Sequence, residues 1–168
     1  MCRRRRRKVS RASTCGTDPL VRIVSGGQTG VDRAALEVAL ARGLDCGGWC
    51  PRGRRAEDGA IDARFPLRET PSRDYAERTE WNVRDADATL ILTRGAPRGG
   101  TAFTIECARA LGRPHRLVDL AADPDAAAVR GWLAELGVRV LNVAGPRESQ
   151  QPGIGELARH FLEEVLPA

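Results

Sequence analysis

Hydrophobic and polar positions fall into an ordered pattern from Leu20 onward. Val21-Arg22-Ile23-Val24-Ser25 is a short β-rich run that predicts a strand, and Gly26-Gly27-Gln28-Thr29-Gly30 follows as a tight loop. Val31, Ala34, Ala35, Val38 and Ala39 then share one face of a helix over Val31 to Arg42, which Gly43 closes. A second strand fits Asp45 to Trp49, and Pro51 to Pro71 is polar and irregular, a loop long enough to be functional or mobile. Ser72 is placed to cap a helix reaching about Arg84. Ala88-Thr89-Leu90-Ile91-Leu92 is apolar almost throughout, as a central parallel strand requires. Gly99-Gly100-Thr101 leads into a helix ending at Leu111, with Gly112 after it. Arg116 to Leu120 is a strand, and Pro124 opens a helix running to Leu136 from its first position. Val138 to Val143 is a strand, Gly145 to Gly153 a loop, and Ile154 to Val165 the last helix.

Strands that alternate with helices predict a parallel sheet covered on both faces. The expected fold class is therefore α/β: a single Rossmann-like three-layer domain with a mainly parallel sheet of about five strands over residues 20–168. Right-handed crossovers place its βα turns at one sheet edge. Residues 1–19, rich in Arg and then in Ser, Thr, Gly and Pro, are expected to be a disordered extension.

Charge and composition narrow the function. The net charge of +5 comes from that extension: Arg3 to Arg7, Lys8 and Arg11 supply seven positive charges, and without them the chain stands at −2. A basic face for nucleic acid is not supported outside the extension. Lys8 is the only lysine, which excludes a P-loop lysine and a Schiff-base lysine from the folded part. No apolar run approaches the roughly 20 residues of a membrane span. Five cysteines with no secretory signal evident point to reduced thiols in a cytoplasm. Cys46 and Cys50 have no nearby His, so no metal site is expected.

Three of the βα turns can hold an anion. The first is Ser25 to Gly30, with Gly26, Gly27, Gln28, Thr29 and Gly30 as candidate contacts. The second is Gly99, Gly100 and Thr101, and the third is Gly145, Pro146, Arg147, Glu148 and Ser149. All three precede helices, whose free N–H groups and dipole favour negative charge. Asp32 either contacts a ligand or simply favours its helix N-terminus. Glu57 and Asp58 either accept N–H bonds from a purine-like or pterin-like edge or are solvated loop charges. Arg52, Arg54, Arg55, Arg98 and Arg147 are candidate phosphate clamps, Arg147 the best because it lies inside a candidate turn. The first turn reads G-G-x-x-G rather than G-x-G-x-x-G, and no acid ends the second strand, which disfavours NAD. No Ser-His-Asp or Cys-His set can be assembled, so no catalytic residue is assigned. Glu106 is weighed as a hydrolytic carboxylate against a plain surface glutamate.

Ile23 to Ala35, Gly47 to Arg54, Ala56 to Gly59, Arg78-Thr79-Glu80-Trp81-Asn82-Val83, Gly99 to Thr101 and Leu141 to Ser149 together resemble the molybdenum carrier family. The resemblance covers about residues 20–166. That family is similar to a wider group of YpsA-like proteins, DNA-processing protein A and Lonely Guy-type phosphoribohydrolases, which share a Rossmann-like fold with ligand at the glycine-rich edge. The resemblance implies a carrier that binds molybdenum cofactor (molybdopterin), a pterin bearing a phosphate, and works as a homo-oligomer, dimer or tetramer. Its alternative is a nucleotide sensor or an enzyme cleaving a nucleoside 5′-monophosphate. Pro97-Arg98-Gly99-Gly100-Thr101-Ala102-Phe103-Thr104-Ile105-Glu106 departs from the Lonely Guy pattern P-G-G-x-G-T-x-x-E by lacking its second Gly-Thr step, which argues against hydrolysis.

Overall fold

The computed structural model describes residues 20–168, so the extension expected over residues 1–19 lies outside the described residues. The chain opens with β1 (Arg22–Val24), α1 (Val31–Ala41), β2 (Asp45–Gly47) and β3 (Trp49–Cys50). The single strand expected over Asp45 to Trp49 is thus two. Gly48 breaks it with φ +125°, and a Cβ there would come within 2.4 Å of the Ser25 carbonyl oxygen, so the chain kinks where it passes under the end of β1.

The polar stretch after Pro51 is more ordered than its composition suggests. β4 (Arg55–Ala56) and β5 (Gly59–Ala60) form a small antiparallel hairpin, and β6 (Arg68–Glu69) pairs in parallel with β3. Arg54 holds the stretch together from inside, donating to the carbonyls of Ile61, Asp62, Phe65 and Leu67.

The remaining elements are α2 (Tyr75–Arg84), β7 (Ala88–Thr93), α3 (Gly99–Ala110), β8 (His115–Asp119), α4 (Ala126–Leu136), β9 (Val140–Ala144) and α5 (Ile154–Val165). Two helix starts differ from expectation. Asp74, not Ser72, caps α2, accepting from the Ala76 amide at 3.0 Å, while the Ser72 hydroxyl accepts from Asp74 one step earlier. Asp125 caps α4 by accepting from Ala128 at 2.9 Å, which leaves Pro124 outside the helix. In both cases a carboxylate one or two residues further on satisfies an amide of the first turn and moves the start.

Five strands form one parallel sheet in the order β2-β1-β9-β7-β8. All six residues of β7 are buried, as a strand covered on both faces requires. α5 packs on α1 and α4, and α2 packs on α3, which gives the two helical layers. Ile154, Ala158, Phe161, Leu162 and Val165 form the buried stripe of α5, set against the small residues Ala34, Ala35 and Ala39 of α1. Among the described residues, no helix is long and apolar enough to cross a membrane.

Leu90 has no exposed surface and sits in the middle of β7. Leu90→Ala is expected to lower stability by about 2–5 kcal/mol, the usual cost of a cavity of that size. Urea denaturation should show this as a lower midpoint with an unchanged slope.

Candidate functional site

Chain direction brings the site together at one point of the sheet edge. β9 feeds α5 on one face and its neighbour β7 feeds α3 on the other, so a crevice opens beyond their C-terminal ends, where ligands of open α/β sheets bind. A cavity of about 220 Å³ lies there. Asn142, Ala144 and Gly145 of β9 and its turn line it on the sheet side, and Gly26, Gln28 and Asp32 line it from the first turn. α2 contributes Tyr75, Arg78, Thr79 and Asn82, and α3 contributes Gly100, Thr101, Phe103 and Thr104. Arg147 and Gln150 complete it.

Asp32 is 2% exposed and Arg78 Nη1 donates to its Oδ2 at 2.9 Å. Burial pushes the Asp32 carboxyl above its ordinary pKa, against the pull of the Arg78 charge and hydrogen bond. The guanidinium occupies the space above Gly26: a Cβ at residue 26 would lie 1.5 Å from Arg78 Nη1. Gly26 therefore lacks a side chain for the sake of Arg78.

The other glycines of the first and third turns also serve close packing. Gly27, at φ +74°, faces Leu67 and Ile61, and Gly30, at φ +78°, lies against the backbone of Pro146 to Glu148. A Cβ on Gly145 would meet the Leu92 carbonyl oxygen at 2.3 Å. The amides at the start of α1 are engaged internally: Val31 donates to the Pro146 carbonyl, Thr29 to Gln28 Oε1 and Gln28 to Asp32. The second turn is different. Nothing lies within 4 Å of a Cβ on Gly100, and only Gln150 Nε2, at 3.9 Å, approaches one on Gly99. The N-terminus of α3 is thus the open one.

Several expected contacts sit beside the cavity and are occupied. Glu57, at the tip of the β4–β5 hairpin, accepts from the hydroxyls of Thr29 and Ser149 and from the Ser149 amide at 3.1 Å, with Arg147 Nε at 3.9 Å. Desolvation raises the pKa of Glu57, but the hydrogen bonds from Ser149 and Thr29 outweigh it and hold the carboxyl below its ordinary value. Asp58 pairs with Arg33. Glu148 accepts from the amides of Gly153 and Gly155 and so caps α5. Arg52 is exposed and does not line the cavity. Glu106 is likewise exposed on α3 and outside the lining.

Residue-by-residue reading of the sequence missed the cavity's α2 wall. Arg78, Thr79 and Asn82 lie within the stretch Arg78 to Val83 that carries part of the resemblance, which is the signal that could have found them. Asn82 works as a structural clamp, accepting from the Trp49 amide at 2.8 Å and donating to its carbonyl at 2.9 Å. Tyr75 carries the guanidiniums of Arg55, Arg78 and Arg147 within 6 Å of its ring; Asp32 balances Arg78, so the positive charge on that side comes from Arg55 and Arg147. Cys46, Cys50 and Cys107 are buried free thiols whose pKa values burial raises.

The strand order holds a further signature. Counted from β9 as the first strand, with β1, β2, β7 and β8 following, the sheet reads 3-2-1-4-5, the doubly wound order with the chain ends moved by one βα unit. The family model of this permuted kind matches residues 23–166. The chain belongs to the circularly permutated YpsA SLOG family. A solved structure with the same fold is titled "Putative molybdenum carrier protein" from Syntrophus aciditrophicus; it is 40% identical, and the match covers 88% of this chain and 96% of that one at a TM-score of 0.85. No curated protein matches. In this YpsA-type chain, the family resemblance and the α/β fold read from the sequence both hold.

Two outcomes follow from this geometry. Arg78→Leu leaves the buried Asp32 without its partner and is expected to cost about 3–5 kcal/mol in denaturant unfolding. The Glu57 latch is complete above the ordinary glutamate pKa near 4.3 and loosens as pH falls through the lower value that Glu57 has in the folded chain. The hydrogen-exchange protection factors of the hairpin amides at residues 55–60, taken relative to the intrinsic rate at each pH, should therefore fall below about pH 4, and Glu57→Ala should show the lowered protection at neutral pH.

Proposed function

We propose that the protein is a carrier that binds molybdenum cofactor as its cargo in the cavity between α2 and α3. The observation that carries this reading is the open N-terminus of α3 at Gly99 and Gly100, set in a cavity that also presents Arg147 and Tyr75. A phosphate there would meet free backbone N–H groups, the positive end of a helix of 12 residues and a guanidinium. The cavity, at about 220 Å³, is below the roughly 300–1,000 Å³ of sites that enclose a drug-sized ligand, so it would take one end of the cofactor and leave the rest exposed for delivery. The family and the solved relative's title support the molybdenum assignment. We read the carrier as a cytoplasmic homo-oligomer.

A nucleotide is the second reading, favoured by the same phosphate seat and by a cavity of a size that suits a base or a ribose phosphate. Hydrolysis of that nucleotide draws no support from Glu106, which lies outside the cavity lining.

Gly100→Asp is a clean test, because space is open at residue 100 and an acid in the first turn favours the helix. The full chain should bind molybdenum cofactor, and the variant should bind at least about tenfold more weakly, or about 1.4 kcal/mol, with an unchanged melting temperature. Binding of AMP or GMP alone, with no cofactor binding, would move the assignment to a nucleotide sensor.

A further inference from the structure

The cavity has two chemically different ends. The α3 end is positive and open. The inner end, toward the first turn, is close to neutral, because the Asp32 carboxylate and the Arg78 guanidinium cancel one another. A phosphate dianion gains little there and would face the carboxylate. What the inner end does present is a fixed pair of polar groups.

Gln28 is the first. It is 5% exposed and lines the cavity. Its Oε1 accepts two backbone N–H bonds, from Thr29 at 3.0 Å and from Glu57 at 2.9 Å. An amide oxygen held by two donors cannot exchange places with its nitrogen, so the Gln28 amide has one orientation. Nε2 is then a donor of fixed position, and it is buried with no hydrogen-bond partner. Buried donors of native proteins are nearly always satisfied, so an unmet one in a cavity marks the place of a ligand acceptor.

Asp32 is the second. The bonds it accepts from Arg78 Nη1 at 2.9 Å and the Gln28 amide at 3.4 Å both fall on Oδ2. The adjacent Ser25 hydroxyl gives its proton to the Val143 carbonyl at 2.7 Å. The same hydroxyl also bears on the Asp32 carboxylate, and with three donors around it a carboxylate of about four lone-pair sites still has room to accept from a ligand N–H. Phe103 and Tyr75 add flat apolar surface to the lining.

Resting on the proposed function, we infer that the inner end reads a lactam edge: a ring carbonyl accepting from Gln28 Nε2 beside a ring N–H donating to Asp32. That edge is shared by the 4-oxopyrimidine ring of pterins and by the 6-oxopurines, and adenine lacks it. Gln28 is the specificity-determining residue, and the ligand lies with its ring inward and its phosphate toward Gly100. A site built to hydrogen-bond an acceptor rejects an analogue that offers a donor instead, because two donors are then left facing one another.

The experiment is calorimetric titration of the full chain with neopterin monophosphate, GMP, IMP and AMP, repeated on Gln28→Glu. The variant keeps oxygens for the Thr29 and Glu57 amides and replaces the donor by an acceptor. The wild-type chain should bind GMP and IMP at least tenfold more tightly than AMP. Gln28→Glu should lose that preference, with oxo ligands weakened and AMP unchanged or improved. Tighter binding of neopterin monophosphate than of GMP assigns the edge to a pterin, and the reverse order to a purine; either supports the inference. AMP equal to GMP on the wild-type chain overturns it and leaves the proposed function standing, as does an equal loss of all ligands in a folded variant. No binding of any of the four, or of molybdenum cofactor, overturns both. Should Gln28→Glu fail to fold, the wild-type series decides alone.

Discussion

Arg78 of α2 reaches Asp32 of α1 through the space over Gly26, and the site is arranged around that contact. The pair joins the two helical layers across the sheet edge, so it fixes the position of α2 against the first turn. Asp32 is buried and Arg78 is largely covered, so the carboxylate would be costly there without the guanidinium. The pair also sets the electrostatics of the cavity, leaving the positive field to Arg147 and the start of α3. A side chain at residue 26 would displace the guanidinium and with it the α2 wall.

The glycine-rich turns divide into two kinds under this constraint. Gly27, Gly30 and Gly145 are sites of close backbone approach, where the first and third turns lie against each other and against the strands. Gly99 and Gly100 face open space. Glycine permits both uses for one reason, the missing Cβ, and only the surroundings distinguish them. The same holds for the acids. Glu57 and Glu148 lie in turns that look exposed in the sequence, yet one latches the hairpin to Thr29 and Ser149 and the other caps α5.

Gln28 links these parts. Its oxygen ties the first turn to the hairpin tip, and its nitrogen is a buried donor without a partner in a residue that lines the cavity. The hairpin, which contributes no lining residue, thereby holds the orientation of a group that does. Long polar loops in compact domains often carry function by such indirect means.

Local pattern was enough for the fold. The nearly apolar run at β7, the small-residue face of α1 and the glycines that close helices at Gly43 and Gly112 each report a short stretch of chain whose period and punctuation are local properties. The family followed from collinear motifs for the same reason. Local pattern also singled out Gln28, Asp32, Gly100 and Arg147, because turns before helices are visible in one dimension. It did not show which turn is open, that Asp32 is neutralised by a residue 46 positions later, or that Tyr75, Arg78 and Asn142 share one cavity with them. Those facts depend on strand order: β9, near the end of the chain, inserts between β1 and β7 and brings α2 and α3 over the first turn. Periodicity reports which face of an element is buried. What that face is buried against is decided only when the sheet is assembled.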